Sequence, residues 1–256
     1  CVQARLAISN PDDSFFSRQF TLEYSALFRG LLPALDYLRL PIPLGGTSNH
    51  FRRDVLVRCG GWDPFNVTED ADLGIRLARL GYDVSLINSE TLEEAPVTWR
   101  IWRGQRTRWI KGWMQTYLVH MRRPFRLWRD LGGWRFCGFQ VTITAMLISM
   151  LVHPWFYIFA GSSWLSSGRI FPESEALLWL FGANLVAGYT SAALLILVTS
   201  ARSRLTGRFL SVLGLPIYWL AVSYAAYCAA LDLIRRPHFW EKTTHGQARE
   251  SRLRAR

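Results

Sequence analysis

Cysteine is scarce in this 256-residue sequence, and its distribution excludes two common structural devices. The four cysteines, Cys1, Cys59, Cys137 and Cys228, lie far apart and form no Cys-x-x-Cys or Cys/His pair. The sequence therefore indicates neither a structural zinc site nor a disulfide framework. Cys137 and Cys228 lie in apolar runs, which is typical of small buried hydrophobic side chains.

Acidic residues are also few: 19 Asp and Glu stand against 30 Lys and Arg, which gives a net charge of +11. Such an excess favours either nucleic acid or an anionic membrane surface as a partner. The arginines cluster beside apolar segments and near the end of the chain, so membrane lipids are the better account. No recognisable nucleic-acid-binding fold accompanies the charge, and we expect no nucleic-acid partner.

Composition divides the chain into three parts, predicted as residues 1–135, 136–234 and 235–256. The first part is mixed and charged, the second is mostly apolar, and the third is a basic tail that we expect to be cytoplasmic. The chain opens with Cys1 and a strand-like run, Val2 to Ile8, with no initiator Met and no signal peptide. We expect it to be a piece of a longer protein.

Three apolar stretches, about 137–160, 177–200 and 209–234, are each long enough to cross a bilayer. The pair His153-Pro154 predicts a kink or a split in the first stretch. Basic side chains predict the cytoplasmic side for both the second loop and the tail: Arg202, Arg204, Arg208, Arg235, Arg236 and Lys242. Three simple crossings cannot place these segments and the charged part on one side, so one stretch is expected to be interfacial or re-entrant.

The spacing of apolar residues and the positions of glycine and proline predict the elements of the charged part. Pro33 and the segment Leu40 to Leu44 predict an extended connection, and Glu90, Glu93 and Glu94 predict a solvated acidic segment. The expected elements are a helix from about Ser14 to Leu32, a short helix from Arg53 to Cys59, a helix from Glu69 to Leu80 and a strand from Tyr82 to Ile87.

A glycine pair opens the run Gly45-Gly46-Thr47-Ser48. Two glycines followed by small hydroxyl residues allow a ligand to approach the backbone closely. On this feature alone, a simple Gly-Gly turn is the more economical interpretation.

Acidic residues begin the next predicted helix, with Thr68 as its cap and Gly81 as its stop. The helix dipole favours Glu69 and Asp70 at this position without any function. A carboxylate placed between a glycine-rich loop and a basic aromatic helix can, however, take a proton from a sugar hydroxyl.

The basic aromatic helix carries Gln105, Arg108 and Trp109 at positions i, i+3 and i+4, which predicts one shared face. Trp102 and Trp113 extend the same stripe. An amide, a guanidinium and an indole together suit an anionic ligand that bears a sugar. Basic aromatic helices also lie at membrane surfaces, so a non-catalytic protein that binds anionic lipid is the alternative.

Two motifs, Thr68-Glu69-Asp70 and Gln105-Arg106-Thr107-Arg108-Trp109, resemble the Thr-Glu-Asp and Gln-x-x-Arg-Trp motifs of the membrane-embedded family-two glycosyltransferases. That family includes bacterial cellulose synthase and related polysaccharide synthases. Gly45 to Asn49 lies where the family has a loop that lines the acceptor site. The resemblance implies an α/β fold: the C-terminal half of a nucleotide-sugar (GT-A-like) glycosyltransferase domain, followed by transmembrane helices.

The resemblance also implies roles for individual residues. Asp70 would be the general base that deprotonates the acceptor hydroxyl as it attacks the anomeric carbon, with inversion. The acceptor channel would be shaped by Gly46, Thr47 and Ser48. The other substrate-binding residues would be Thr68, Glu69, Gln105, Arg106, Arg108 and Trp109.

One departure from the family concerns the Asp-rich motifs that hold the metal and the uridine, which should precede the opening strand. Asp70-Ala71-Asp72 has a similar spacing but falls within the predicted helix. The expected divalent metal, Mg or Mn, would therefore have its ligands in an upstream half, and no metal ligand is assigned here. We expect these 256 residues alone to be inactive.

The leading hypothesis is transfer from a UDP-sugar to a growing, β-glucan-like polysaccharide at the cytoplasmic face of a bacterial inner membrane. Transfer of one sugar to a lipid-linked acceptor is the alternative within the enzyme class. A transporter is less favoured, because the apolar stretches have Asp232 near one end as their sole acidic residue after Glu175.

Overall fold

The computed structural model describes residues 1–167, 175–202, 206–237 and 239. Its sheet has three strands in the order β2-β1-β3. Strand β1 (Val2–Ile8) pairs antiparallel with β2 (Asn49–His50) and parallel with β3 (Ser85–Glu93). A mixed sheet with a crossover helix is consistent with the expected α/β class, and it places residues 48–50 beside β1.

The charged part also contains these helices: α1 (Phe15–Ala26), a π-helical turn (Leu27–Leu31), α2 (Leu32–Tyr37), α3 (Arg53–Arg58) and α4 (Glu69–Arg79). The Ser14 hydroxyl caps α1 by accepting from the Ser17 backbone N–H. The predicted helix end at Leu32 is wrong, because the chain stays helical to Tyr37. Pro33 lies in the first turn of α2, where a proline ring is tolerated.

Strand β3 begins later and ends later than the strand predicted over 82–87. Glu90 and Glu93 belong to it, so the acidic segment is largely a strand. The prediction that it is solvated is confirmed for Glu90 and Glu94, which are exposed, whereas Glu93 is half-buried. Glu90 pairs with Arg29, and the Tyr24 hydroxyl donates to Glu93 at 3.1 Å. Polar residues are tolerated in an edge strand when partners on a covering helix satisfy them.

The rest of the described chain is helical: α5 (Trp99–Met121), α6 (Pro124–Phe139), a π-helical turn (Gln140–Thr144), α7 (Ala145–Ser167), α8 (Glu175–Arg202), a 3-10 segment (Thr206–Gly214) and α9 (Leu215–Arg235). Among the residues that the structure describes, three stretches are long and apolar enough to cross a membrane: Pro124–Phe159, Trp179–Ala201 and Leu210–Arg235. This confirms the three predicted stretches by length and composition. The first begins earlier than predicted, because α6 runs into it.

Two further differences concern the apolar part. Helix α7 runs through Pro154 without a break in its secondary structure and extends to Ser167, so the loop expected from Gly161 begins as helix. The tail from residue 240 onward, with Lys242, lies outside the described residues, as does Arg204.

Helix α5 lies along α9 and also binds the residues that follow α9. The buried Lys111 ammonium donates to the backbone carbonyls of Arg236 (2.8 Å) and Phe239 (2.7 Å). The Gln115 amide donates to the carbonyl of Pro237 at 2.8 Å. The same helix therefore contacts the candidate site and the end of the last apolar stretch.

Candidate active site

The turn that carries the acidic motif is docked onto α5. The Asn66 side-chain amide donates to the Thr116 hydroxyl at 3.0 Å, and the Val67 backbone N–H donates to the Gln115 side-chain oxygen at 3.3 Å. Asn66 and Thr116 are both buried, so this contact is protected from water. These bonds fix the start of α4 against the middle of α5.

Thr68 packs closely against α5 at Gly112. A methyl group built on Gly112 would lie 2.2 Å from the Thr68 Oγ1 atom, so the turn fits only because Gly112 has no side chain. The expected capping by the Thr68 side chain is wrong, since α4 has no side-chain cap. The Thr68 hydroxyl instead faces Asn66 Oδ1 at 3.5 Å.

Gly112→Ala is expected to destabilise the protein by about 1–3 kcal/mol, because the added methyl group overpacks the contact with Thr68. The measurement is thermal unfolding of the purified protein. Gly133→Ala is the matched control, since its nearest side-chain atom lies 3.7 Å from the added carbon. Equal effects of the two substitutions would contradict the role given to Gly112.

Asp70 lies between the α4 start, the glycine loop and α5. A methyl group on Gly46 would lie 3.1 Å from the Asp70 Oδ2 atom, so the loop backbone faces the carboxylate. Burial is the main cause that raises the pKa of Asp70 to about 6; the charge of Glu69 acts in the same direction, whereas the Ala71 N–H and the Arg108 guanidinium oppose the shift. A carboxylate with such a pKa is ionised at neutral pH and basic enough to accept a proton.

Arg108 of the α5 motif interacts with this acidic turn, and Gln105 lies three positions earlier on the same helical face. Burial lowers the pKa of the Arg108 guanidinium, and the charges of Glu69 and Asp70 raise it again, which indicates that the three groups interact. The Gln105 side-chain oxygen is buried and has no hydrogen-bond partner within the described part of the chain. A buried acceptor without a donor is a candidate contact for a ligand hydroxyl.

The glycine loop is held at the edge of the sheet. The Ser48 carbonyl accepts from the Ala4 backbone N–H at 3.0 Å, and the Ser48 hydroxyl lies 2.6 Å from the Thr91 hydroxyl. Thr47 Oγ1 lies 3.5 Å from the Ser48 hydroxyl. Ser48 adopts a positive φ of 58°, so the turn is tightly constrained. The loop and the acidic turn, predicted separately, are brought together.

The predicted stripe on α5 divides into two neighbouring faces, because successive residues are about 100° apart on a helix. Arg108 interacts with the acidic turn and Gln105 shares its helical face, but Arg106 does not join them. Its guanidinium donates to both carboxylate oxygens of Glu23 at 2.6 and 2.7 Å and to the Tyr218 hydroxyl at 2.9 Å. The geometry therefore gives Arg106 a role in holding α5 rather than a contact with the acidic turn.

Trp109 belongs to this second face. Its ring centroid lies 5.7 Å from that of Phe20, and the Arg106 guanidinium lies 5.3 Å from it. Trp102, which the pattern placed on the same stripe, is completely buried, and its indole N–H donates to the Tyr218 hydroxyl at 3.3 Å. Trp109 is half-buried, so part of its ring remains available to a ligand.

Two buried polar contacts near the site escaped the sequence analysis. The first is the contact of Glu23 with Arg106. Glu23 is the sole acidic residue of α1, which distinguishes it in the sequence but does not predict its partner. Asp72 accepts from His120 Nε2 at 2.9 Å and from Arg76 Nε at 2.7 Å. Burial alone would raise the pKa of Asp72, but these two partners hold it below its ordinary value.

A divalent metal has no suitable set of ligands here. In the described ranges, no three His, Cys, Asp or Glu side chains are grouped so that they could hold an ion. Asp72, which completes the Asp-Ala-Asp spacing, has both carboxylate oxygens engaged by His120 and Arg76. These residues therefore do not fit a metal centre.

A family comparison fits this geometry. The sequence matches the model of the glycosyl transferase family group 2 over residues 2–231. The chain belongs to this family. The match includes the glycine loop, the acidic turn, α5, the first two apolar stretches and the third as far as residue 231.

Similar curated proteins are named after sugar transfer. The chain is 38% identical over 85 residues to the "Probable glycosyltransferase YdaM" of Bacillus subtilis, which is 33% of this chain and 20% of that protein. It is 34% identical over 121 residues to the "Beta-monoglucosyldiacylglycerol synthase" of Trichormus variabilis (46% and 25%). It is 25% identical over 184 residues to the "Probable glucomannan 4-beta-mannosyltransferase 6" of Oryza sativa subsp. japonica (70% and 31%). The matched segments span between a fifth and a third of these relatives.

Proposed function

We propose that the protein transfers a sugar, with inversion, from a UDP-sugar to a growing polysaccharide of the β-glucan kind at the cytoplasmic face of a bacterial inner membrane. The observation that carries this proposal is the position of Asp70, a partly buried carboxylate with a pKa near 6 between the Gly46 backbone and Arg108. Family membership and the three candidate spans support it.

In the proposed reaction, Asp70 accepts the proton of the acceptor hydroxyl while that oxygen attacks the anomeric carbon. The new carbon–oxygen bond forms as the bond to the diphosphate breaks, and the proton remains on Asp70. Arg108 would stabilise the charge that develops on the departing diphosphate, since its fork of donors matches phosphate oxygens. Gln105 would contact a sugar hydroxyl, and Gly46 would let the acceptor approach the backbone.

We propose further that the described residues supply the acceptor side of the catalytic domain and that an upstream half holds the donor. The expected Mg or Mn ion would belong to that half, because the residues present here do not fit it. Detectable turnover by residues 1–256 alone would contradict this division of labour.

A second candidate acceptor is a glycolipid. It is favoured by the relative named a monoglucosyldiacylglycerol synthase, which shares more identity with this chain than the glucomannan transferase does, although over a shorter segment. Both candidates use the same base and the same donor chemistry, so they differ in product length.

Release of UDP from membranes that contain the full-length protein tests both candidates. A panel of UDP-sugars would be supplied with Mg or Mn, and the products would be separated into polymer and glycolipid. Release with one sugar, abolished by Asp70→Asn, is the expected result and identifies the donor. Release that survives this substitution would contradict the base, and no release with any sugar would favour the non-catalytic lipid-binding alternative.

A further inference from the structure

The first half of α6 presents aromatic rings on its outer side. Phe125 is 85% exposed and Trp128 is 54% exposed, and with Gly132 they lie at positions i, i+3 and i+7 of one stripe. Leu127, on the inner side, is completely buried. Two large exposed rings on one stripe indicate an interaction surface rather than scattered apolar residues.

The segment that contains these rings, residues 122–139, carries an excess of positive charge. Asp130 is the sole acidic residue in 122–139, and Arg79 of α4 already binds it at 2.6 Å. Arg126 Nε lies 3.9 Å from Asp130, a weak contact. Within the described part of the chain, the exposed arginines of this segment that have no acidic partner are Arg122, Arg123 and Arg129.

A concave site joins the rings and the charges. An open cavity of about 510 Å³ is lined by Phe125, Arg126, Trp128, Arg129, Gly132 and Gly133. Gly132 has φ 74° and ψ 165°, a conformation that bends α6 and leaves this side open. Two guanidinium groups beside two aromatic rings match an anionic head attached to an apolar body.

The position of the surface identifies its occupant. Helix α6 continues directly into the first candidate span, Pro124–Phe159, so the rings and arginines lie where the chain enters the apolar region. Aromatic rings and arginines are enriched at the boundary between headgroups and acyl chains. We propose that this face of α6 binds the phosphates of anionic phospholipids, with Arg126 and Arg129 as their ligands and Phe125 and Trp128 inserted beside them.

The test measures which lipids the protein retains. Full-length protein would be purified in mild detergent, equilibrated with equal amounts of phosphatidylglycerol and phosphatidylcholine, and its bound lipids counted by native mass spectrometry. Each arginine near an anionic surface contributes roughly fivefold. The wild type should retain phosphatidylglycerol preferentially, and Arg126→Gln/Arg129→Gln should reduce that preference by about 25-fold or to none.

Two matched variants separate this site from net charge. Arg52→Gln/Arg53→Gln removes the same charge from exposed residues around the start of α3 and should keep the wild-type preference. Arg126→Lys/Arg129→Lys keeps the charge and should keep most of it. Equal loss in the Arg52/Arg53 variant, or an unchanged preference in the Arg126→Gln/Arg129→Gln variant, would overturn the proposal.

Two further measurements vary the salt concentration and add inorganic phosphate. Raising the salt to 1 M shortens the screening length to about 3 Å and should abolish the preference. Millimolar inorganic phosphate should leave it intact, because a lipid also offers its acyl chains to Phe125 and Trp128. Complete displacement by inorganic phosphate would show a free-anion site and overturn the lipid assignment. Lipid retention requires no sugar transfer, so this test is independent of the proposed function.

Discussion

Asp70→Asn is expected to lower kcat by two to four orders of magnitude and to change KM little. The asparagine keeps the size of the side chain and its place beside Gly46, but it cannot accept a proton from the attacking hydroxyl. A loss confined to kcat would mean that the interaction acts in the transition state rather than in substrate binding.

Asp63→Asn is the control for this experiment. Asp63 precedes Asp70 in the same segment, and its Oδ1 accepts from the Phe65 backbone N–H at 2.9 Å, a bond that asparagine can also accept. This variant should keep its rate within about twofold. Comparable losses in both variants would show that any change to this segment disrupts the fold, and the base would lose its support.

The pH dependence gives a second measurement of the same group. Asp70 must be ionised to act as a base, and burial raises its pKa to about 6. The rate should therefore rise tenfold per pH unit below about 6 and level off above it. Glu69→Gln removes a charge that raises this pKa, so the acid limb should move to lower pH. An acid limb that stays in place in Glu69→Gln would contradict this interaction.

Glu23→Gln, a substitution outside the acidic turn, is expected to lower the stability of the protein strongly. It would leave the Arg106 guanidinium, which is 5% exposed, without its counter-charge beside Tyr218. Breaking a buried pair costs about 3–5 kcal/mol, and the Glu23 side chain is 35% exposed, so about 2–4 kcal/mol is expected. Thermal unfolding of the purified protein measures this loss.

Two further variants show whether this loss of stability comes from the unpaired charge of Arg106. Glu23→Gln/Arg106→Met removes both charges and should regain part of the stability, because no buried charge is then left alone. Glu90→Gln breaks the more exposed pair with Arg29 and should cost at most about 1 kcal/mol. A double variant less stable than Glu23→Gln would show that Arg106 contributes mainly through packing against its aromatic neighbours.

Local rules predicted several elements well. The start of α4 at Glu69 follows from signals within a few residues. Helices α3 and α4 each end two residues before a glycine with positive φ, Gly60 and Gly81. The three apolar stretches follow from composition alone. Element boundaries failed where a distant partner decided them, as for β3, whose Glu90 is accommodated by Arg29 of the π-helical turn.

By itself, the sequence determined the family motifs, the helices that carry them and the apolar part, because short motifs, periodicity and hydropathy are properties of neighbouring residues. The tertiary structure alone decided which contacts the residues within a motif make. Arg106 and Arg108 are two positions apart, yet one is bound to Glu23 and Tyr218 and the other interacts with Asp70. The physical reason is that residues two positions apart on a helix are separated by about 200° of rotation, so their side chains lie on different sides. Which groups each side contacts depends on how α1, α4 and α9 pack around α5.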